Sequence, residues 1–134
     1  MKTIPISIAE VELIAYRLAE KLMKFDEPIP DFNTRFPSIL ESCLITPFQK
    51  FSRKFLYTGL TKKSAVLFYL MIKNHPFKNG NKRIAMMSTL YLLYKNNKWI
   101  EADNQVLYNF ARWVASSDSS VKDATTLAIE KFIL

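Results

Sequence analysis

Nine consecutive residues hold most of the reactive chemistry this chain can offer: His75-Pro76-Phe77-Lys78-Asn79-Gly80-Asn81-Lys82-Arg83. His75 is the only histidine in the chain, and Gly80 is one of its two glycines. Imidazole ordinarily titrates near neutrality, which makes His75 the one ready-made general base. The segment runs into a helical pattern that resumes at Asn81. A helix N-terminus presents unpaired N–H groups and the positive end of the helix dipole, and together these attract anions. Gly80 permits a positive φ or close backbone approach just before that terminus. Asn81 is of a type that can cap it. Lys82 and Arg83 place cations in the first turn, where the dipole disfavours them; the conflict disappears if the helix end binds a phosphate. Phe77, between polar neighbours, reads as the anchor of the loop in the core. Taken singly, these residues have plainer readings. A histidine at a helix C-terminus is commonly a structural cap, and Asn-Gly is an ordinary turn dipeptide. Their combination within nine residues points to a base beside a phosphate site.

Such a loop needs rigid elements on both sides, and the sequence supplies helices. Ser7-Ile8-Ala9-Glu10 reads as a capping box. Ile8, Val11, Ile14, Ala15, Leu18 and Leu22 then form a stripe that predicts a helix from Ser7 to Phe25. Prolines at positions 28 and 30 break it. A short helix is expected over Pro37–Leu44, with Pro37 in its first turn. The segment from Phe48 to Tyr57 has no helical stripe and reads as an extended flap or hairpin, closed by Gly59. Thr61 is the expected cap of the next helix, whose stripe is Ala65, Phe68, Tyr69 and Ile72. That helix should end near Asn74, because Pro76 disfavours the α conformation for His75. After the loop, Ile84, Met87, Leu90, Tyr91 and Tyr94 carry a further helix. Asp103 can cap another, holding Val106, Leu107, Phe110 and Val114. Ser119 or Ser120 can cap a last one, holding Leu127, Ile129 and Phe132. The expectation is a compact all-α helical bundle with a short extended flap, in one domain spanning residues 1–134.

The nine-residue segment resembles the signature of the Fic/Doc family, His-x-Phe-x-Asp/Glu-Gly/Ala-Asn-Gly/Lys-Arg. It matches at His75, Phe77, Gly80, Asn81, Lys82 and Arg83. Upstream, Arg35 followed by Leu40-Glu41-Ser42-Cys43-Leu44 and Pro47 is similar to the Arg…Leu-Glu-Ser-Ala-Leu…Pro stretch of Doc-like members. The likeness extends over nearly the whole chain, and the compact size resembles the toxin of a toxin–antitoxin pair. It implies that His75 takes a proton from a target hydroxyl. Gly80, Asn81, Lys82 and Arg83 would then hold the phosphates of ATP or another nucleoside triphosphate, Arg83 through its fork of donors. The flap over Phe48–Tyr57 would align a target peptide by backbone pairing. Nucleotidylating members read Gly-Asn-Gly-Arg-x-x-Arg; here Lys82 replaces the glycine and Met86 the second arginine. Both differences resemble the Doc-like branch, in which the γ-phosphate goes to a Ser or Thr of a protein target, with a translation elongation factor as the family's precedent. AMP transfer by the same residues is the enzymatic alternative.

One position departs from that signature. The acidic residue that ordinarily holds Mg²⁺ is Asn79, which can offer an amide oxygen but no charge. A pseudoenzyme that serves only as a binding module is therefore the rival of a different class. An inhibitory helix reading Ser/Thr-x-x-x-Glu-Gly/Asn is matched only in part by Thr126 to Lys131, which is better explained as a solvated last helix. Restraint would then come from a Phd-like antitoxin.

Composition excludes other classes. Two glycines cannot build a Rossmann fingerprint or a Walker A loop. One histidine and one cysteine cannot build a zinc finger, and no disulfide can form within the chain. A Ser-His-Asp triad could use only His75. Cys43, in an apolar run, reads as a small buried hydrophobe, and Trp99 and Trp113 as core or groove lining. Hydrophobic residues make up 49% of the 134 residues, enough for a core and too many for a disordered chain. The sequence has no apolar run long enough to span a membrane and no signal-peptide pattern, so a cytoplasmic protein is expected. The net charge of +7 favours acidic partners. Phe48, Phe51, Phe55 and Tyr57 alternate with Lys and Arg, as in nucleic-acid stacking, but a flap resting on the core is the favoured reading.

Overall fold

The computed structural model describes residues 3–22, 29–100 and 103–133. It is all-α with one small hairpin. The elements are α1 (Ile8–Glu10), a π-helical stretch (Val11–Tyr16), α2 (Arg17–Leu22), α3 (Pro37–Ile45), β1 (Lys50–Phe51), β2 (Lys54–Phe55), α4 (Leu60–Lys73), α5 (Asn81–Lys95), α6 (Asn104–Ser116) and α7 (Lys122–Ile133). No helix among the described residues is long and apolar enough to cross a membrane.

The centre of the molecule is the pair α4 and α5, which pack on each other. Every residue of α4 from Lys63 to Ile72 is buried, as is every residue of α5 from Arg83 to Leu90. A helix apolar on all sides must be surrounded by others. Here α4 packs on α3, α6 and α7, and α5 packs on α6, α2 and the π-helical stretch. The loop between them is therefore held at both ends by the most deeply buried parts of the chain.

The first helical segment begins with the expected capping box: the Ser7 hydroxyl accepts from Glu10 N–H and the Glu10 carboxylate accepts from Ser7 N–H. The expected stripe is wrong in part. The π turns of Val11–Tyr16 displace the residues after them relative to an α-helical register. The buried face becomes Val11, Ala15, Tyr16 and Ala19, and Leu18 turns outward; Ile8, ahead of the π turns, is exposed as well. Residues 23–25 of the predicted helix lie outside the described residues.

Other ends differ from expectation by a residue or two. The N-cap of α4 is Gly59, at φ +84, rather than Thr61. Asp103 caps α6 as expected, accepting from Val106 N–H. Asp118, not Ser119 or Ser120, caps the short 3-10 turn that leads into α7, because its carboxylate reaches Ser120 N–H. Val106 and Leu127 face solvent, and Tyr108, Ala111 and Thr125 take the buried positions. Cys43 is buried, and burial pushes its thiol up to about 11 despite a hydrogen bond with Asn74. Trp99 lines a surface groove with Leu18 and Tyr94, and Trp113 is half exposed, stacked on Phe110.

Candidate functional site

The loop after α4 is built by three anchors. Phe77, 1% exposed, inserts its ring beside those of Tyr16 and Phe32, with centroids 6.4 Å and 5.8 Å away. The Pro76 carbonyl accepts from Phe36 N–H at 2.8 Å, tying the loop to the start of α3. Asn81 closes it from within: its side-chain oxygen accepts from Phe77 N–H and its amide donates to Phe77 O, both at 2.9 Å. The expected capping role of Asn81 is thus replaced by another. Asn81 is the first helical residue of α5, and its side chain reaches back along the loop rather than forward into the helix.

The N-cap of α5 is Gly80, in the left-handed region at φ +76 and ψ +12, a residue with no side chain of its own to cap the helix. A Cβ here would lie 2.9 Å from Ile29 Cγ1 and 3.4 Å from Arg83 Nη2. Both conformation and space therefore require glycine. Such a helix start suits an anion, because the first-turn N–H groups of a helix have no intrahelical partner. Lys82 is half buried in that turn, and Arg83, 3% exposed, places its guanidinium beside Gly80.

His75 is exposed and sits at φ +52, in the left-handed region one residue beyond the C-cap Asn74. Because the Phe77 bonds fix the Asn81 amide, an N–H of that amide faces His75 Nδ1, at 3.4 Å. In this arrangement Nδ1 accepts, so a neutral ring carries its proton on Nε2. Accepting a proton through Nε2 requires the ring to turn so that Nδ1–H leaves Asn81. The contact is long, the ring is exposed, and little opposes that turn.

The segment expected as a flap is a hairpin. Lys50 pairs with Phe55 and Phe51 with Lys54, across a two-residue turn in which Ser52 and Arg53 both have positive φ. This is the turn handedness that matches strand twist. The hairpin is anchored by Lys63, a residue without a role in the sequence reading. Its ammonium donates to the Tyr57 carbonyl and lies 4.0 Å from the centroid of the Phe55 ring. It is 3% exposed, and burial holds it below the ordinary lysine range. A second lysine next to Lys62 at the start of the apolar run Ala65–Ile72, one turn after Gly59 and following an aromatic-rich segment, was the available signal. Lys63 lies eleven residues before Asn74, about 16 Å along the axis at 1.5 Å per residue. The hairpin anchor and the base therefore stand near opposite ends of α4.

Ile29 and Tyr16 were also missed, since nothing in their spacing pointed to the loop. Arg35 lies over the Phe32 ring at 4.3 Å and donates to Phe32 O, so it buttresses the aromatic trio around Phe77. A protein-held Mg²⁺ does not fit the donor set. Asn79 is neutral, and no group of three or more Asp, Glu, His or Cys among the described residues could hold a metal.

The model of the Fic/DOC family matches residues 5–93, about two thirds of the chain, including α1 to α4, the hairpin, the whole loop and all but the last two residues of α5. No curated protein and no solved structure matches.

Proposed function

The chain belongs to the Fic/DOC family, whose members are in general transferases, and on that premise we propose that it moves the γ-phosphoryl group of a nucleoside triphosphate to a Ser or Thr hydroxyl of a protein target. The nucleotide phosphates rest on the N-terminal end of α5, with Lys82 and Arg83 at its first turn. His75 receives the hydroxyl proton, the freed oxygen attacks the γ-phosphorus, and the bond from that phosphorus to the β–γ bridging oxygen breaks. A nucleoside diphosphate leaves, and the proton stays on His75 until solvent takes it. Preorganised donors that need not reorganise during the step are the main source of such rate enhancement.

The observation that carries the choice of γ-transfer over AMP transfer is the position of Met86. It stands where nucleotidylating members have their second arginine. Its side chain is 1% exposed, among Phe68, Leu107 and Phe110 in the core. It supplies neither a charge nor access to a phosphate. A Phd-like antitoxin as restraining partner belongs to the same reading. The neutral Asn79 favours a second reading, a module that binds nucleotide without turning it over.

ATP labelled at the α- or the γ-phosphate, incubated with cell lysate and the purified protein, separates these. Label from γ on protein, lost in His75→Ala, is the expected result. Label from α would establish nucleotidyl transfer instead. Nucleotide binding with no label from either would establish the binding module.

A further inference from the structure

The cations of this chain are scattered along it, but its acids are not. Between Glu41 and Glu101 there is no Asp or Glu, and there are eleven Lys and Arg. That stretch contains the hairpin, α4, the 75–83 loop and α5. Lys50, Arg53, Lys54, Lys62 and Lys78 are exposed, Lys82 is half buried, and none of them is ion-paired among the described residues. Three of these six lie on the hairpin. Charges this close act together, since screening takes about 8 Å at physiological salt.

The hairpin distributes its side chains in a definite way. Lys50 is directly opposite Phe55, and Phe51 is directly opposite Lys54, so each face carries one cation and one ring. The positive φ values at Ser52 and Arg53 place Arg53 in the tip. Two strands of two residues leave both outer edges open for main-chain pairing.

We infer that the acceptor at this site is an acidic protein segment, which adds to an open edge of the hairpin while its carboxylates meet Lys50, Arg53 and Lys54. The inference rests on the transfer reading above, for which the family resemblance already implies main-chain pairing with the flap; what the cations add is the charge of the acceptor. Phosphate-rich single-stranded nucleic acid would suit the same charges, but it also needs aromatic faces on which successive bases stack. The face of Phe55 is already taken: the Lys63 ammonium lies 4.0 Å and the Lys50 ammonium 4.8 Å from its centroid. Phe48 also has Lys63 near its ring, at 5.8 Å. Phe51, 73% exposed, is left as a single platform on the hairpin, whereas edge pairing needs no platform.

The test uses the full chain carrying His75→Ala, without nucleotide, and fluorescent peptides with a central serine. One peptide carries Asp and Glu on both sides of that serine, and its counterpart carries Asn and Gln. A single-stranded RNA of equal charge is the third probe. The acidic peptide is expected to bind at least about tenfold more tightly than the amide one at low ionic strength, with the preference falling as salt shortens the Debye length. Arg53→Glu with Lys54→Glu should abolish the preference. If that pair disturbs the circular dichroism spectrum, Arg53→Gln with Lys54→Gln decides. Equal binding of the two peptides would overturn the inference. So would tighter binding of the RNA, weakened by Phe51→Ala. Because binding is read without turnover, absence of label transfer overturns the proposed function alone. Transfer that ignores acceptor charge overturns the acidic-segment inference alone.

Discussion

The two ends of α4 are held in opposite ways. At its C-terminal end, the loop is tied by the buried Phe77 ring, by the Pro76–Phe36 bond and by two bonds from Asn81. At its N-terminal end, the hairpin is exposed from Lys50 through Leu56, and the buried Lys63 anchors it through the Tyr57 carbonyl. Phosphoryl transfer depends on fixing one charged group against one base, so a preorganised loop suits the nucleotide. A hairpin that can adjust suits a peptide, whose main chain is uniform and whose side chains vary. The contrast divides the proposed work: the loop determines the chemistry and the hairpin selects the acceptor.

The largest expected break in that contrast is Phe77→Ala. It removes the ring between Tyr16 and Phe32, and large-to-small changes of this kind cost about 3–5 kcal/mol. Denaturant unfolding should show a loss of that order together with loss of nucleotide affinity. A loss under about 1 kcal/mol, the range of ordinary surface changes, would mean that the loop is not anchored in the core. Gly80→Ala comes next. Positive φ costs a non-glycine residue about 1–2 kcal/mol, and contact with Ile29 adds to it. Because the change is confined to the cap of α5, titration with nucleotide should weaken more than the folded state does. Unchanged nucleotide binding would remove the end of α5 from the site.

Lys63→Met addresses the other end. Methionine keeps the apolar stem and removes a buried charge, so global stability should move by less than about 1 kcal/mol. The hairpin should loosen even so, because the Tyr57 carbonyl loses its donor. Hydrogen exchange at Leu56 N–H, which bonds Gln49 O at 3.0 Å, reads this directly. Exchange at wild-type rate would show that the hairpin holds itself.

The two ends also differed in how far the sequence revealed them. The loop was legible because its residues are rare in this chain: one histidine, one of two glycines, and cations at a helix start where they are normally disfavoured. The helices around it were legible from apolar periodicity, and Asp103 from ordinary capping chemistry. The hairpin was legible only as the absence of a helical stripe. The role of Lys63 depends on Tyr57 and Phe55 coming within reach, and those contacts arise only from tertiary packing. Tyr16, Phe32 and Ile29 reach the loop from distant positions, and the π turns at Val11–Tyr16 decide which face of their helix does so. Asn81 was read forward as a cap, since a sequence cannot show that Gly80 had already taken the cap position and turned the amide back toward Phe77.

The smallest effect, and the one of opposite sign, concerns His75 itself. Helices commonly end one residue past the C-cap in the left-handed conformation, and that residue is usually glycine. In α4 that residue is His75, at φ +52. The ring returns little for the strain, being exposed and making only the 3.4 Å contact with Asn81. His75→Gly should therefore raise stability by about 0.5–1 kcal/mol, the relief of left-handed strain less the added freedom of the unfolded chain. Label transfer should be lost in the same protein. A histidine that merely caps the helix predicts the reverse sign, since removing a cap destabilises. Measuring unfolding midpoint and label transfer on this one variant thus separates a strained position kept for its chemistry from one kept for the fold.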